Sequence, residues 1–202
     1  MEKFTRLTGV AAPLFRPNID TDAIIPSREM KRVSKEGLGE GMFADWRYSD
    51  VAARVENPDF VLNRPPFRKA PILLAGPNFG CGSSREHAVW ALQDYGVRCV
   101  IAPSFGAIFQ GNCVRNGILP LVLPEPAVAD LAGRDAPQTL TIDLAAQTVR
   151  VPGGAELPFT MPPADKEMLL EGLDAIGVTL KRLPTIQAFE GGYRTRQPWL
   201  FF

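Results

Sequence analysis

The chain has 202 residues, and its 22 basic and 22 acidic side chains give a formal net charge of zero. The lack of a basic excess disfavours nucleic acid and acidic membrane surfaces as partners. No apolar stretch of the sequence approaches the roughly 20 residues that a membrane-spanning helix needs, and residues 1–6 do not resemble a signal peptide. We therefore expect a cytoplasmic globular protein that binds neither membrane nor nucleic acid.

Residue types that ligate metals are scarce in this sequence. Cys81, Cys99 and Cys113 are an odd number of cysteines at wide spacing, unlike a secreted disulfide framework. His87 is the only histidine, and no C-x-x-C motif occurs. The chain alone is therefore poorly equipped to hold zinc or an iron–sulfur cluster, and we predict no metal site within it.

The N-terminal part of the chain, residues 1–70, has no sustained hydrophobic period, and prolines such as Pro13, Pro17 and Pro26 interrupt it. We interpret this part as irregular. Within it, residues 27–50 are polar and charged and contain several glycines, as is typical of a long surface loop.

Residues 71–123 show a different pattern, in which strands and helices alternate. The predicted strands are Ile72–Ala75, residues 97–102 and residues 118–123. Such alternation predicts right-handed crossovers and a parallel sheet. We therefore expect an α/β fold with its core in this part of the chain.

The two helices between these strands have recognisable ends. In the first, apolar side chains recur at helical spacing from Ala88 to Tyr95, and Gly96 can end the helix. In the second, Ser104 is a plausible N-cap and Gly117 a plausible stop.

The C-terminal region, residues 124–202, has a weaker pattern. Residues 139–143 and 148–151 can pair as a hairpin. Helices are predicted around residues 166–173 and 185–190.

The strongest chemical signal is the run at residues 78–87, which reads Asn-Phe-Gly-Cys-Gly-Ser-Ser-Arg-Glu-His. It leaves a predicted strand and enters a predicted helix, and its glycines allow a tight turn and a close approach to a ligand. Ser83, Ser84 and Arg85 follow where the helix begins, and the free N–H groups of a helix start favour anions. The run therefore predicts a site for a carboxylate or a phosphate.

A purely structural interpretation of the same run is a capping box, because Ser83 and Glu86 satisfy S-x-x-E. The run does not match a dinucleotide fingerprint, since Arg85 occupies the position of the third glycine, and it lacks the lysine of a P-loop. It also lacks the G-x-S-x-G pattern of a nucleophile elbow. Nucleotide binding is therefore disfavoured.

Other polar residues have structural interpretations of their own. Asp20, Thr21 and Asp22 fit an Asx-type turn, and Asn112 fits a core amide on an otherwise apolar helix face. Trp90 lies opposite the apolar stripe of its helix. It is either covered by the C-terminal region or part of a partner surface.

Several separated motifs, in the same order along the chain, resemble the small-subunit family of 3-isopropylmalate dehydratase in the aconitase superfamily. They lie at residues 18–26, 45–48, 57–63, 78–87, 90–96, 101–105, 116–120 and 174–177. The resemblance implies a single swivelling β/β/α domain over residues 1–202 that packs on a separate large subunit. It also implies that the large subunit holds a [4Fe–4S] cluster and that this chain alone binds none.

The reaction implied by the resemblance is dehydration of 2-isopropylmalate and rehydration to 3-isopropylmalate in leucine biosynthesis, so the substrate is a small dicarboxylic hydroxy acid. By the same resemblance, Ser83 takes the proton from carbon, and Ser84 and Arg85 bind a substrate carboxylate. Asp22 matches an aspartate at the edge of the site and is also assigned to substrate binding. We expect the isolated chain to be catalytically inactive.

The chain departs from the resembled family in residues 27–50, the region to which the resemblance assigns substrate selection. Typical bacterial members have an aromatic–leucine pair where this chain has Glu29 and Met30. Because this loop is charged, related acids remain alternative substrates, namely citramalate, dimethylmaleate, maleate or homoaconitate-type acids. The candidates for binding a second carboxylate are Arg28, Lys31 and Arg32.

A non-catalytic alternative is a scaffold or anion-binding subunit that shares only the fold. Such a subunit would be expected to have lost parts of the site. The triplet of Ser83, Ser84 and Arg85 is intact, which favours the catalytic interpretation.

Overall fold

The computed structural model describes residues 1–31, 34–154 and 156–200. The strands are β1 (Arg6–Leu14), β2 (Tyr48–Asp50), β3 (Val55–Glu56), β4 (Ile72–Ala75), β5 (Cys99–Ala102), β6 (Leu119–Val122), β7 (Gln138–Asp143), β8 (Thr148–Arg150) and β9 (Glu156–Pro158). The α-helices are α1 (Thr21–Ile24), α2 (Ala44–Arg47), α3 (Glu86–Tyr95), α4 (Ala107–Arg115), α5 (Glu125–Ala132), α6 (Pro163–Glu171), α7 (Ala175–Leu180) and α8 (Leu183–Arg196). Short 3₁₀ helices lie at Ser27–Glu29, Leu38–Glu40, Val61–Asn63, Pro65–Phe67 and Pro198–Leu200.

The main sheet is mixed, with the strand order β6-β5-β4-β1-β7-β8-β9, and β2 pairs with β3 separately. The pairs β1–β4, β4–β5 and β5–β6 are parallel, which confirms the parallel sheet predicted for residues 71–123. The pairs β1–β7, β7–β8 and β8–β9 are antiparallel, and β7–β8 is the predicted hairpin. β1 therefore joins a parallel half of the sheet to an antiparallel half.

The central strand β1 lies in the part of the chain that the sequence pattern led us to interpret as irregular, and that interpretation is wrong. β1 pairs with β4 through residues 11–14 and with β7 through residues 6–11. Gly9 and Pro13 hide the strand in the sequence, because both residues are uncommon in strand interiors. Gly9 has a steric reason: a Cβ at this position would lie 2.3 Å from the side chain of Pro71.

Side chains along β4 alternate between two cores, one on each face of the sheet. Leu73 and Ala75 join the cluster that contains the inner faces of α3 and α4. Ile72 and Leu74 join the cluster formed with β7, α5 and α6. All four side chains are buried, as expected of a parallel strand that is covered on both faces. This rigid strand ends at Ala75, immediately before the run that contains the candidate site.

The ends of α3 and α4 differ in how well the sequence predicts them. Gly96 ends α3 as predicted, in the left-handed conformation at a φ of 112°. In contrast, α4 begins at Ala107, with Gly106 rather than Ser104 as its N-cap. The hydroxyl oxygen of Ser104 instead accepts a hydrogen bond from the backbone N–H of Asn78 over 2.8 Å.

The C-terminal region adds three helices after the hairpin. α6 overlaps the helix predicted at residues 166–173, and α8 extends well beyond the one predicted at residues 185–190. α7 and α8 contribute no buried residue among those that the structure describes. Trp199 and Leu200 are exposed, and Phe201 and Phe202 lie outside the described residues. None of the helices in the described ranges combines the length and the apolar character needed to cross a membrane.

Candidate functional site

Residues 78–85 form a turn, here called the site turn, that connects β4 to α3. It lies beyond the carboxyl end of a parallel strand, where ligands of open α/β sheets commonly bind. Gly80 and Gly82 have φ angles of 73° and 90°, in the region where other residues are strained. Gly80 also has no room for a side chain, because a Cβ there would lie 2.1 Å from the ring of Phe109.

The segment that leads into α1 holds one side of the site turn. The N–H of Gly80 donates to the carbonyl of Ile19 over 2.7 Å, and the N–H of Thr21 donates to the carbonyl of Cys81 over 2.9 Å. The hydroxyl of Thr21 donates to the carbonyl of Ser83 over 3.1 Å. The sequence pattern did not indicate this last contact, because it joins segments that are distant along the chain.

The segment before α4 holds the other side. The N–H of Phe79 donates to the carbonyl of Ser104 over 3.1 Å, and the N–H of Gly106 donates to the carbonyl of Phe79 over 2.9 Å. A Cβ on Gly106 would lie only 2.6 Å from the carbonyl oxygen of Gly80. The backbone of the site turn is therefore fixed by hydrogen bonds and close packing from two directions.

Ser83 and Ser84 lie exposed at the end of the site turn. The N–H of Arg85 donates to the carbonyl of Ser83 over 2.7 Å, which closes a tight turn around Ser84. As a result α3 begins only at Glu86, with Arg85 as a cap residue that makes no side-chain cap bond. The capping box weighed as a structural alternative for Ser83 and Glu86 is therefore not formed, and the carboxylate of Glu86 instead accepts a hydrogen bond from Asn116.

Asp22 forms an ion pair with Arg85, between Oδ1 of the carboxylate and Nη1 of the guanidinium. Asp22 lies in α1, and Asp20 caps this helix because its Oδ1 accepts a hydrogen bond from the N–H of Ala23 over 2.7 Å. The motif is thus the start of a short helix rather than a simple turn. The structure brings together the four residues that the sequence predicts for the site: Asp22, Ser83, Ser84 and Arg85.

An open cavity of about 540 Å³ lies beside Asp22. Its walls include the side chains of Ala23, Pro26 and Trp46. Trp46 is held in place because its ring stacks on that of Phe43, at a centroid distance of 5.6 Å and an interplanar angle of 5°. The cavity therefore combines a small apolar wall with polar and charged side chains, namely Asp20, Asp22, Ser27, Arg28 and Asp45.

The basic residues predicted to reach a second carboxylate differ in their surroundings. Arg28 lines the cavity and forms an ion pair with an aspartate of α2. Lys31 is exposed, and Arg32 lies outside the described residues. Glu29 pairs with Arg54 at 2.5 Å. Glu29 does not belong to the described residues that line the cavity.

Two residues behind the site turn were given structural interpretations from the sequence. Asn112 is buried, and its Oδ1 accepts a hydrogen bond from Arg115 over 3.4 Å, which confirms the prediction of a core amide. Trp90 is partly buried and packs against the core. The ammonium group of Lys35 lies 4.5 Å from the centre of the Trp90 ring, so part of the loop region covers this side chain.

Within the described residues, no group of three or more histidine, cysteine, aspartate or glutamate side chains is arranged to hold a metal ion. Burial raises the pKa of the Cys99 and Cys113 thiols well above their usual value. Both groups therefore remain protonated at neutral pH, whereas metal ligation needs the thiolate. Cys81 is partly exposed in the site turn. These residues do not fit a cluster site on this chain.

Comparison with protein-family models covers most of the chain. The model of the aconitase C-terminal domain matches residues 1–126. The LeuD_N model matches residues 129–163, and the model of the C-terminal domain of the 3-isopropylmalate dehydratase small subunit matches residues 176–202. The part matched by the aconitase model contains the site turn, α1 and the parallel half of the sheet.

Relatives match over nearly the full length. A protein of Cupriavidus necator named 3-isopropylmalate dehydratase small subunit is 57% identical and covers 100% of this chain and 99% of its own. One of the same name from Rhodospirillum centenum is 56% identical over 98% of both chains. The crystal structure of a 3-isopropylmalate dehydratase from Methanocaldococcus jannaschii has a TM-score of 0.66 at 26% identity, covering 92% of this chain and 99% of that chain. These matches confirm the predicted fold type, and the chain belongs to the 3-isopropylmalate dehydratase small-subunit family of the aconitase superfamily.

Proposed function

We propose that this chain is the small subunit of a hydro-lyase that interconverts 2-isopropylmalate and 3-isopropylmalate in leucine biosynthesis. The reaction removes water to give 2-isopropylmaleate and adds it back with the opposite regiochemistry. The observation that carries the proposal is the site turn, in which two exposed serines stand beside an arginine that Asp22 holds in place. The names of the full-length relatives support the substrate.

Ser83 is the residue that we assign to the removal of the proton from carbon. Its hydroxyl is exposed and makes no hydrogen bond to the described part of the chain, so it is free to face a substrate. A serine is a weak base unless its alkoxide is stabilised, and each unit of pKa shift requires about 1.4 kcal/mol. A helix N-terminus supplies roughly 0.3–2 kcal/mol, and α3 begins only at Glu86. Most of the stabilisation must therefore come from groups of a partner in a water-excluded site.

Arg85 and Ser84 are the residues that we assign to a substrate carboxylate. The planar guanidinium of an arginine can bind a carboxylate through two parallel N–H groups. The ion pair with Asp22 engages one Nη atom of Arg85 and leaves other N–H groups to bind substrate. Because the guanidinium is already oriented, less side-chain entropy is lost when the substrate binds. Asp22 thus acts by positioning Arg85.

The large subunit and its cofactor complete the proposed enzyme. By resemblance, the large subunit would hold a [4Fe–4S] cluster, which would supply a Lewis acid for the departure of the substrate hydroxyl group. This chain contributes the base, the carboxylate-binding residues and part of the substrate cavity. We expect the isolated chain to be inactive and the assembled enzyme to lie in the cytoplasm.

We assign the alkyl group of the substrate to the apolar part of the cavity beside Asp22. Its apolar wall of Ala23, Pro26 and Trp46 suits a short branched alkyl group, whose burial is worth roughly 0.8 kcal/mol per methylene group. Glu29 is the charged residue because of which related acids were retained as possible substrates, and it forms an ion pair with Arg54. We therefore assign residues 27–50 a role in substrate selection and retain citramalate as the comparison substrate.

The test uses this chain co-purified anaerobically with a cluster-loaded large subunit from the same source. Formation of the unsaturated intermediate is followed by ultraviolet absorbance with 2-isopropylmalate, 3-isopropylmalate and citramalate. We expect turnover of both isopropylmalates and its loss in Ser83→Ala. The control is Thr139→Val, which removes an exposed hydroxyl from β7, in another part of the chain, and which should retain full activity.

The outcomes separate the parts of the proposal. Turnover of citramalate alone would retain the reaction class and reject the substrate. Equal activity of Ser83→Ala and wild type would reject Ser83 as the base. An intact cluster-loaded complex that acts on no diacid would favour the non-catalytic alternative.

A further inference from the structure

A buried amide lies behind the site turn and connects α3 with the end of α4. Asn116 is only 7% exposed and follows the last residue of α4. Its Nδ2 donates to Oε1 of Glu86 over 2.7 Å and to the carbonyl of Asn112 over 2.9 Å. Its Oδ1 accepts from Nε1 of Trp90 over 3.1 Å, and its backbone carbonyl accepts from Nε2 of Gln93 over 2.9 Å. Both polar atoms of the amide are thus used.

The contact with Glu86 matters because of where this residue lies. Glu86 is the first residue of α3 and follows Arg85 directly. A glutamate in the first turn of a helix can fold back to the free N–H groups at the helix start, but here its carboxylate points to α4. The hydrogen bond therefore fixes the first turn of α3 against α4, at the point where the site turn enters the helix.

We infer that Asn116 is a positioning residue for the proposed reaction. Through Glu86, it holds the start of α3 and so sets the direction of Ser83, Ser84 and Arg85, which come immediately before this helix. The Thr21 hydroxyl and the Asp22 carboxylate hold the site turn from the side of α1. Asn116 acts from the side of α4, with a partly buried, charge-assisted hydrogen bond to Glu86. The inference rests on the proposed function, since it concerns where the substrate-binding groups point.

The test is a set of three variants in the cluster-loaded complex. Asn116→Asp replaces the donor to Glu86 with a second carboxylate, and we expect kcat/KM to fall by about tenfold or more, mostly through a higher KM for 2-isopropylmalate. Glu86→Gln keeps an oxygen that accepts from Asn116 and should lose only about twofold. In the double variant, the amide at position 86 can donate to the carboxylate at position 116. We expect it to regain about fivefold over Asn116→Asp alone.

A second readout is hydrogen exchange of the backbone N–H groups at residues 84–88, which is measured on the complex without turnover. We expect faster exchange there in Asn116→Asp and partial recovery in the double variant. If Asn116→Asp does not fold, Glu86→Ala removes the same hydrogen bond from its less buried partner. It should then show both the higher KM and the faster exchange.

A merely structural role would lower the fraction of folded enzyme and leave the KM of the remaining enzyme unchanged. That result would overturn the inference, as would a double variant no better than Asn116→Asp. Absence of turnover in the wild-type complex would reject the proposed function instead. In that case, unchanged exchange at residues 84–88 in Asn116→Asp would still overturn the positioning role.

Discussion

The hydroxyl of Thr21 donates a hydrogen bond over 3.1 Å to the backbone carbonyl of Ser83, across 62 positions of the chain. Thr21 is only 1% exposed, so its hydroxyl has little access to water. The same carbonyl also accepts from the N–H of Arg85. Two donors thus fix the peptide group that follows the proposed base, and with it the backbone from which the Ser83 side chain projects.

Replacement of Thr21 by valine tests this contact, because valine keeps the shape of threonine and removes the hydroxyl. The Ser83 carbonyl keeps its bond to Arg85, so we expect a loss of stability of only about 1 kcal/mol. We expect kcat/KM for 2-isopropylmalate to fall by about fivefold to tenfold, since a less fixed Ser83 is less often in position. Steady-state kinetics and thermal unfolding of the complex provide the measurements.

Thr21→Ser is the matched control, because it retains the hydroxyl and loses one methyl group. It should keep nearly full activity. Equal kinetics of Thr21→Val and wild type would show that the site turn does not need this hydrogen bond.

Arg85→Lys addresses the binding of the substrate carboxylate. Lysine keeps the positive charge but cannot bind a carboxylate through two parallel N–H groups. We expect KM for 2-isopropylmalate to rise by about tenfold or more, with a smaller change in kcat. Initial rates over a range of substrate concentrations separate the two parameters.

The control for this prediction is Arg68→Lys, which changes another arginine that binds a carboxylate through two contacts. Arg68 donates to both oxygens of Glu56, over 2.8 and 2.7 Å, on an exposed surface. Its replacement should leave KM unchanged. A KM of Arg85→Lys equal to that of wild type would remove Arg85 from the substrate site.

The sequence was sufficient to predict the parallel strands β4, β5 and β6, the two helices between them and the glycine turn that follows β4. These parts are local: the strands are continuous apolar runs, and Gly80 and Gly82 occupy the positions where φ is positive. β1 was missed because Gly9 and Pro13 break its pattern, although the strand lies in the middle of the sheet. Its stability comes from pairing with β4 and β7 rather than from local preference.

The supports of the site were also not predictable from sequence. Thr21 and Asn116 act through side-chain contacts with Ser83 and Glu86 that depend on the final packing. Ser104 was predicted as a helix cap because its position fits one, but its hydroxyl binds the site turn instead. A local pattern cannot distinguish these alternatives, since a serine oxygen is able to satisfy either N–H group.

The two glycines of the site turn predict different losses of stability on replacement by alanine. Gly82→Ala introduces backbone strain at a φ of 90° but meets only an ordinary contact at 3.4 Å, so we expect a loss of roughly 1–2 kcal/mol. Gly80→Ala adds a clash with the Phe109 ring at 2.1 Å, and we expect a loss of more than about 3 kcal/mol. Urea unfolding of the purified chain measures both.

A combined variant separates the clash from the strain. Phe109→Ala removes all the ring atoms that the new Cβ would meet, and Gly80→Ala should therefore cost less stability in this background than in wild type. If Gly80→Ala lowers the free energy of unfolding equally in both backgrounds, backbone strain alone explains why glycine is needed at position 80.

The buried thiols predict a loss of stability at alkaline pH. Burial is the main cause that raises the pKa of Cys99 and Cys113 well above the usual thiol value of 9.0. The folded chain therefore keeps both thiol protons to a higher pH than the unfolded chain does. The associated stability is fully present below about pH 9 and is lost as the pH rises from the unfolded towards the folded pKa. The free energy of unfolding should then fall by at most about 1.4 kcal/mol per pH unit for each thiol.

Cys99→Ala isolates this contribution, because other groups titrate in the same alkaline range. Without the Cys99 thiol, the free energy of unfolding should depend less steeply on pH between about 8.5 and 10, by a slope that corresponds to roughly one proton. Urea unfolding of the two purified chains at several pH values gives both slopes. Identical slopes for the two proteins would mean that the Cys99 thiol ionises as readily in the folded chain as in the unfolded one.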